Sequence, residues 1–321
     1  MTSTGCLNVL VWHVHGSWMT SFVHGRHRYL IPKLDAGAPW GLGRAGRPWP
    51  SNAIEVTPPD LADMKVDVVV LQRIEEIDLV TEWLGRRPGR GIPAVFVEHN
   101  APREHAAATR HPLSDRTDIP LIHVTHFNQL MWDNGRCPTV VIEHGVVDPG
   151  HRYTGEFERA ATMINEPIRR ARVTGSDLLP TLSAAAPIDV YGIGTSQFAV
   201  TDRVVGRGDL PTQRLHGEVA RRRVYVHTAR WTSLGLSLIE AMYLGMPVVA
   251  VASTAAPTTV VEEAGVVSAD PEVLAAAIRR YVAEPGLAAI AGKSARAAAH
   301  TKFGLEKFLH KWDRILEEAV R

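Results

Sequence analysis

Two cysteines in 321 residues, Cys6 and Cys137, are too few for a disulfide framework and fit a reducing cytoplasm. Lysine is scarce as well. Of 35 basic residues only Lys33, Lys65, Lys293, Lys302, Lys307 and Lys311 are lysines, so arginine carries most of the positive charge. Acidic and basic residues nearly cancel, and a formal net charge of +1 gives no field that would gather nucleic acid. No apolar run approaches the roughly 20 residues of a membrane span. Leu7 to Trp12 is too short for a signal-peptide core, and His13 and His15 break its apolar character immediately afterwards. Peripheral contact with a membrane through a surface loop stays open. The chain also lacks a Gly-x-Ser-x-Gly elbow, a Gly-Lys-Ser or Gly-Lys-Thr phosphate loop, and low-complexity tracts. Heptads and repeats with a period of roughly 20–50 residues are missing too.

What is present is an ordinary globular composition, 45% apolar and 21% charged, in a length that accommodates two domains. Five strand-like runs divide the first half: Leu7–Trp12, Val66–Leu71, Ala94–Val97, Leu121–Val124 and Thr139–Ile142. Apolar runs separated by polar or helical spacers predict a parallel sheet with crossover connections, in a doubly wound α/β layering. Glu143 to Gly150, with its Gly and Pro, reads as a hinge. The pattern then resumes with strands at Ala161–Asn165 and Ile188–Gly192, separated by a helix over Ser176–Ala185. Asp270 as N-cap and Pro271 predict a helix to Ala283, and Leu305–Val320 has apolar residues at helical spacing.

The densest signal is Val224 to Ala250. Val224–Val226 suits a buried strand, Thr232 and Ser233 can cap a helix through Leu236, Ile239 and Met242, and Gly245 with Pro247 stops it before another apolar strand. A glycine loop opening onto a helix start offers free N–H groups and a positive dipole end to a phosphate. Glu240 lies eight residues beyond Thr232, about 12 Å if helical at about 1.5 Å per residue. A carboxylate at that span can accept hydrogen bonds from two ribose hydroxyls. The pattern points to a sugar-nucleotide site.

Leu234-Gly235-Leu236-Ser237-Leu238-Ile239-Glu240-Ala241-Met242, succeeded by Gly245-Met246-Pro247-Val248-Val249, resembles the donor-site signature of retaining glycosyltransferase family 4, bacterial type. The resemblance implies the GT-B fold, two Rossmann-like doubly wound parallel-sheet domains facing a cleft. It divides the chain into an acceptor-side domain over 1–149, a donor-side domain over 150–300, and a terminal helix over 301–321 packing back on the first. It implies metal-independent transfer of a sugar, with retention, from a UDP- or GDP-sugar to an unidentified glycan, lipid or small-molecule acceptor. No cofactor is implied beyond the nucleotide-sugar substrate, and the location implied is the cytoplasm or the inner membrane face. In the family pattern Glu-x7-Glu, Glu240 takes the second place and would hold the ribose. Thr232 stands where the first Glu touches the donor sugar. That substitution keeps a sugar-nucleotide-binding protein with impaired turnover as an alternative, beside a GT-B epimerase.

The same resemblance implies further site residues. Gly16 ends the first strand where the family has a donor-contacting glycine loop; an ordinary strand-to-helix turn is the alternative. His99, in Glu98-His99-Asn100, comes after a strand where the family often has a His near the donor sugar; alternatively it caps a helix. Arg169, Arg170, Arg172 and Gly175 occupy the segment that in the family neutralises the diphosphate, with Thr174 in place of the family's Lys; a solvated basic turn is the alternative. The loop Ser233, Leu234, Gly235 and Leu236 completes the donor set. The 15 histidines show no recognisable metal spacing, so no metal site is expected. Arg221-Arg222-Arg223 reads as a solvated helix end. Pro39 to Pro50, rich in Gly, Pro and Trp, reads as a mobile loop that either binds an acceptor or lipid headgroup or is merely solvated.

Overall fold

The computed structural model describes residues 5–103 and 105–321. The chain divides into two units, Met1–Val147 with Leu305–Arg321, and Asp148–Gly304. Unit 1 runs β1 (Asn8–Val11), α1 (Gly16–Phe22), β2 (Arg28–Pro32), β3 (Ala53–Val56), α2 (Pro58–Asp63), β4 (Val68–Leu71), α3 (Glu76–Leu84), β5 (Ala94–Glu98), β6 (Leu121–His123), α4 (His126–Met131) and β7 (Thr139–Val141). Its sheet has the order β3-β2-β1-β4-β5-β6-β7, parallel throughout. Every residue of β4 is buried, the mark of a strand covered on both faces. Leu10, Val69, Leu71 and Phe96 pack with Leu61 of α2 and Val80 of α3 in one core cluster.

Unit 2 runs β8 (Phe157–Met163), α5 (Ala171–Thr174), α6 (Leu179–Ser183), β9 (Ile188–Tyr191), β10 (Ala199–Thr201), β11 (Val204–Gly208), α7 (Thr212–Ala220), β12 (Arg222–His227), α8 (Leu236–Leu244), β13 (Val248–Val251), β14 (Gly265–Ser268), α9 (Pro271–Ala283) and α10 (Pro285–Phe303). Its sheet order is β10-β11-β9-β8-β12-β13-β14, parallel except at the β10–β11 pair. Ile188, Val190, Val224, Val226 and Val249 form a core with Leu274 and Ile278 of α9. Asp270 caps α9 by accepting from the Glu272 amide at 2.9 Å, with Pro271 at the first helical position. Gly292 of α10 faces the Gly245 carbonyl so closely that a Cβ would collide with it, which lets α10 pack tightly on α8.

The final helix, α11 (Leu305–Ala319), belongs to unit 1. Trp312 meets Trp18 and Phe22 at ring separations of 5.6 and 5.0 Å, and Asp313 pairs with Arg26 and His27 at 3.1 and 3.3 Å. Among the described residues no helix is long and apolar enough to cross a membrane.

The structure departs from the sequence expectations in four places. Strands β2, β3, β10, β11 and β14 went unread: all are short, and β2, β3 and β11 carry Pro, charge or Gly. The helix expected over Ser176–Ala185 is a 3-10 turn at Ser176–Leu178 continued by the short α6. The Pro39–Pro50 segment is pinned rather than free. The indole N–H of Trp49 donates to Thr20 at 2.9 Å, its ring lies 4.6 Å from that of His13, and Arg73 stacks on Trp40 at 4.1 Å. Arg222 is no solvated helix end. It opens β12 and pairs with the fully buried Asp189 at 2.7 Å, which also holds Arg159 and Arg207. A carboxylate buried in a sheet needs such cations to remain charged.

Candidate functional site

Each sheet reverses its strand order beside its first strand. β1 lies between β2 and β4, and β8 lies between β9 and β12. Loops leaving such a pair diverge, and the crevice beyond their carboxyl ends is where open α/β sheets bind ligands.

In unit 2 the loops after β8 and β12 are sewn together. Gly175 has φ +73 and ends α5; a Cβ there would overlap the Thr228 carbonyl oxygen and lie 2.6 Å from its carbon. Only glycine combines that left-handed backbone with that approach. The Thr228 hydroxyl donates to the Thr174 carbonyl at 2.8 Å, and the amide of Arg230 donates to the Val173 carbonyl at 2.9 Å. This stitching brings the basic segment Arg169–Arg172 against the loop 229–235. Arg169 pairs with Glu166 across one turn. Arg172, with its side chain 78% exposed, pairs with Asp177 at 2.9 Å, and Arg230 shares the same carboxylate. Two guanidinium groups on one carboxylate leave a positive balance at the crevice and hold Asp177 below the usual carboxylate range against its burial. Arg170 is half-buried in the same turn.

The glycine loop corrects one expectation. α8 begins at Leu236 with Gly235 as N-cap and no side-chain cap, so Thr232 and Ser233 do not cap it. Gly235 is needed for another reason: a Cβ there would lie 2.6 Å from Cε1 of the buried His227. The helical rise from Leu236 to Glu240 is therefore only about 6 Å, and the rest of the span to Thr232 is non-helical loop. Ser233 and Leu234 are buried. The Thr232 hydroxyl is buried with no hydrogen-bond partner, which is uncommon for such a group. Glu240 is half-buried on α8, its Oε2 3.3 Å from Nε2 of the buried His216 on α7. Tyr225 lies near Glu240 and Ser237, and burial pushes its hydroxyl up to about 12.

In unit 1, Gln72 bridges the reversal. Its side-chain amide donates to the Trp12 carbonyl at 2.7 Å, and its Oε1 lies 3.0 Å from Nε2 of His99. His99 is buried just past β5, 4.0 Å from the His15 ring and 5.1 Å edge-on to Trp18. It does not cap a helix. Burial, and then the neighbouring His15 and His144, hold its pKa well below the ordinary value, so the ring is neutral. His144 is held down to about 3 by the same burial. Gly16 opens α1, and Arg47 from the pinned loop lies against it. Among the described residues no group of three or more His, Cys, Asp or Glu is arranged to hold a metal.

The structure thus brings Arg169, Arg170, Arg172, Gly175 and Ser233–Leu236 together at one crevice of unit 2, with Glu240 on the adjoining helix. Gly16 and His99 lie at the equivalent place of unit 1. Sequence reasoning missed Arg230, His216 and Gln72. Arg230 could have been found, two residues before Thr232 in the same motif; no spacing signals the other two.

Residues 197–298, within unit 2, match the family model described as glycosyl transferases group 1. No curated protein matches the chain by sequence. Solved structures resemble nearly its whole length at low identity. Sucrose-phosphate synthase from Thermosynechococcus elongatus is 15% identical, covering 97% of this chain and 98% of that one, with a TM-score of 0.72. Anabaena HepE in complex with UDP is 15% identical over 97% and 100%, with a TM-score of 0.70. A glycosyltransferase from Rickettsia africae is 14% identical over 99% and 100%, with a TM-score of 0.70. The fold is therefore GT-B: two Rossmann-like parallel-sheet α/β domains.

Proposed function

We propose that the chain is a retaining, metal-independent glycosyltransferase of family 4 that transfers a sugar from a nucleoside-diphosphate donor. The observation carrying this reading is the reversal point of unit 2, where a positively balanced loop and the uncapped start of α8 meet one carboxylate, Glu240. The match of residues 197–298 to the group 1 model supports it. The diphosphate would be met by Arg170, Arg172, Arg230 and the amides at the start of α8, with Gly175 and the loop Ser233–Leu236 shaping the approach. These cations supply the charge that a divalent metal otherwise supplies. Arg169, neutralised by Glu166, plays the smaller part. Glu240 would accept from the ribose hydroxyls, since a carboxylate has room for about four hydrogen bonds and His216 takes one. In unit 1, neutral His99 is suited to hydrogen-bond a sugar hydroxyl, and Gly16 leaves room for the Arg47 guanidinium to approach the backbone. The departing phosphate would help deprotonate the acceptor on the same face of the ring. No cofactor takes part, and the cytoplasm is the setting that two free cysteines fit.

Anabaena HepE has been solved with UDP and with UDP-glucose, which makes uridine the first base to test. Calorimetric titration with UDP, GDP and their glucose conjugates is the direct experiment. The proposal expects one base to bind at micromolar strength and Glu240→Ala to weaken it by about tenfold or more, the cost of losing hydrogen bonds to a charged group. Absence of binding by both nucleotides, or full affinity in Glu240→Ala, contradicts it.

A second reading, a sugar-nucleotide-binding protein without turnover, is favoured by Thr232, whose unpartnered hydroxyl stands where the family has Glu. Binding of UDP-glucose without hydrolysis or transfer to any glycan or lipid acceptor would select it.

A further inference from the structure

Arg47 is held in a manner that the donor reading does not use. Its guanidinium lies so close to Gly16 that a Cβ at that position would overlap Nη2 and sit 2.7 Å from Cζ. Any residue but glycine would displace it. The segment carrying Arg47 is fastened on several sides. The Arg44 guanidinium reaches the carbonyls of Ala53 and Trp49, the Arg44 amide donates to Glu55 at 2.8 Å, and the Gly43 carbonyl lies 2.8 Å from Nδ1 of His13. Trp49 is buried against His13 and tied to Thr20 of α1. Ala45 adopts φ +49, a left-handed conformation that costs a non-glycine residue about 1 kcal/mol.

Lys33 and Arg73 of the same unit have carboxylate partners, whereas the Arg44 guanidinium is taken up by backbone carbonyls and Arg47 has neither kind of partner among the described residues. Lys33 pairs with Glu55 at 2.6 Å, and Arg73 pairs with the buried Glu76 at 2.8 Å. Arg47 has neither an acidic partner nor a side-chain hydrogen bond among the described residues, although it is half-buried. Beside it His13 stays neutral, lowered by burial and by Arg47 itself, against the pull of its bond to Gly43. A guanidinium resting against a glycine, with no acceptor for its donors among the described residues, matches a planar or tetrahedral oxyanion bidentately.

We propose that Arg47 forms an anion subsite of unit 1, at the end of β1, which receives a phosphate or carboxylate group. Its assignment to the acceptor, which would then be an anionic molecule, rests on the transferase reading. The donor diphosphate is met by arginines of its own in unit 2, so Arg47 is left for a second negative group.

Equilibrium dialysis of the full chain with radiolabelled inorganic phosphate, at constant ionic strength and with UDP saturating, tests this. One phosphate per chain is expected, with at least a tenfold loss of affinity in both Arg47→Ala and Arg47→Gln, UDP affinity staying within twofold. Glucose 6-phosphate and glucuronate, as competitors against glucose, separate a phosphate from a carboxylate ligand; displacement by either, but not by glucose, supports the subsite. No phosphate site in the UDP-saturated protein, equal retention by Arg47→Ala and Arg47→Gln, or displacement by glucose alone overturns it. So does a loss of UDP rather than of phosphate on changing Arg47, which would give the residue to the donor. If UDP does not bind at all, the transferase reading fails, while dialysis without UDP, controlled by the two Arg47 variants, still decides the subsite.

Discussion

Nε2 of His216 lies 3.3 Å from Oε2 of Glu240, joining α7 to the helix that leaves the glycine loop. The pair holds the carboxylate in one orientation before any nucleotide arrives. Pre-set geometry spares the ordering of a flexible side chain on binding. His216→Ala should weaken UDP binding by about tenfold, as expected for losing one hydrogen bond to a charged group, ~1.4 kcal/mol. His216→Gln, which keeps an N–H donor, should recover most of the loss. Calorimetry on the three proteins checks this, with catalytic turnover at saturating donor expected to change little. Equal losses in both variants would point to a packing role alone.

Thr232 offers a test that separates ligand from fold. Its buried hydroxyl has no partner, so Thr232→Val removes an unsatisfied polar atom and should leave the urea midpoint unchanged or slightly raised. If the hydroxyl serves the donor sugar, the same variant binds UDP normally and UDP-glucose more weakly than the parent protein does. Unaltered preference for UDP-glucose would remove Thr232 from the site.

Gly175 and Gly217 make a contrasting pair. At Gly175 a Cβ meets the Thr228 carbonyl in a left-handed backbone, so Gly175→Ala should cost upward of about 2 kcal/mol, strain and collision combined. Gly217 lies within α7 with open space where its Cβ would be, so Gly217→Ala should stabilise by roughly 0.5–1 kcal/mol. Urea unfolding of the two variants reads both signs.

Acid should destabilise unit 1 well above the range where carboxylates protonate. Burial holds His123 at about 4 and His144 at about 3, whereas both titrate near 6.5 in the unfolded chain. Between those values the unfolded state binds protons that the folded state refuses. Stability from these groups is thus complete above about pH 7 and declines as pH falls through 6.5, until the folded-state values are reached. Each fully titrating histidine contributes a slope of about 1.4 kcal/mol per pH unit. His227, held at about 4, does the same in unit 2. Urea midpoints from pH 8 to 5 should trace this slope, and His123→Gln should flatten it for unit 1.

Much of the architecture could be read from the chain because buried parallel strands are written as unbroken apolar runs. Val68–Leu71 and Val248–Val251 are of that kind. Of the strands that escaped notice, β2, β3 and β11 carry Pro32, Glu55 or paired glycines and β10 and β14 are three or four residues long, so their place is set by sheet neighbours rather than by their own pattern. At the site, the glycine motif and Glu240 were visible because one continuous segment holds them. The partners His216 and Gln72 were not, since they arrive through tertiary folding from other segments; Arg47 lay in the Pro39–Pro50 segment already offered as an acceptor loop. Thr232 and Ser233 looked like caps because hydroxyl residues before an apolar run usually are; here Leu234 and Gly235 still intervene between Ser233 and Leu236.

Unit 1 is discontinuous, because α11 joins it only after Asp148–Gly304 has been passed. During synthesis the ribosome must therefore complete the other unit before Trp312 can reach the waiting rings of Trp18 and Phe22. A nascent chain paused near Gly304 would present those aromatic faces to chaperones. Premature stop codons in this last helix should act chiefly through quality control, since the whole of Asp148–Gly304 has by then been translated.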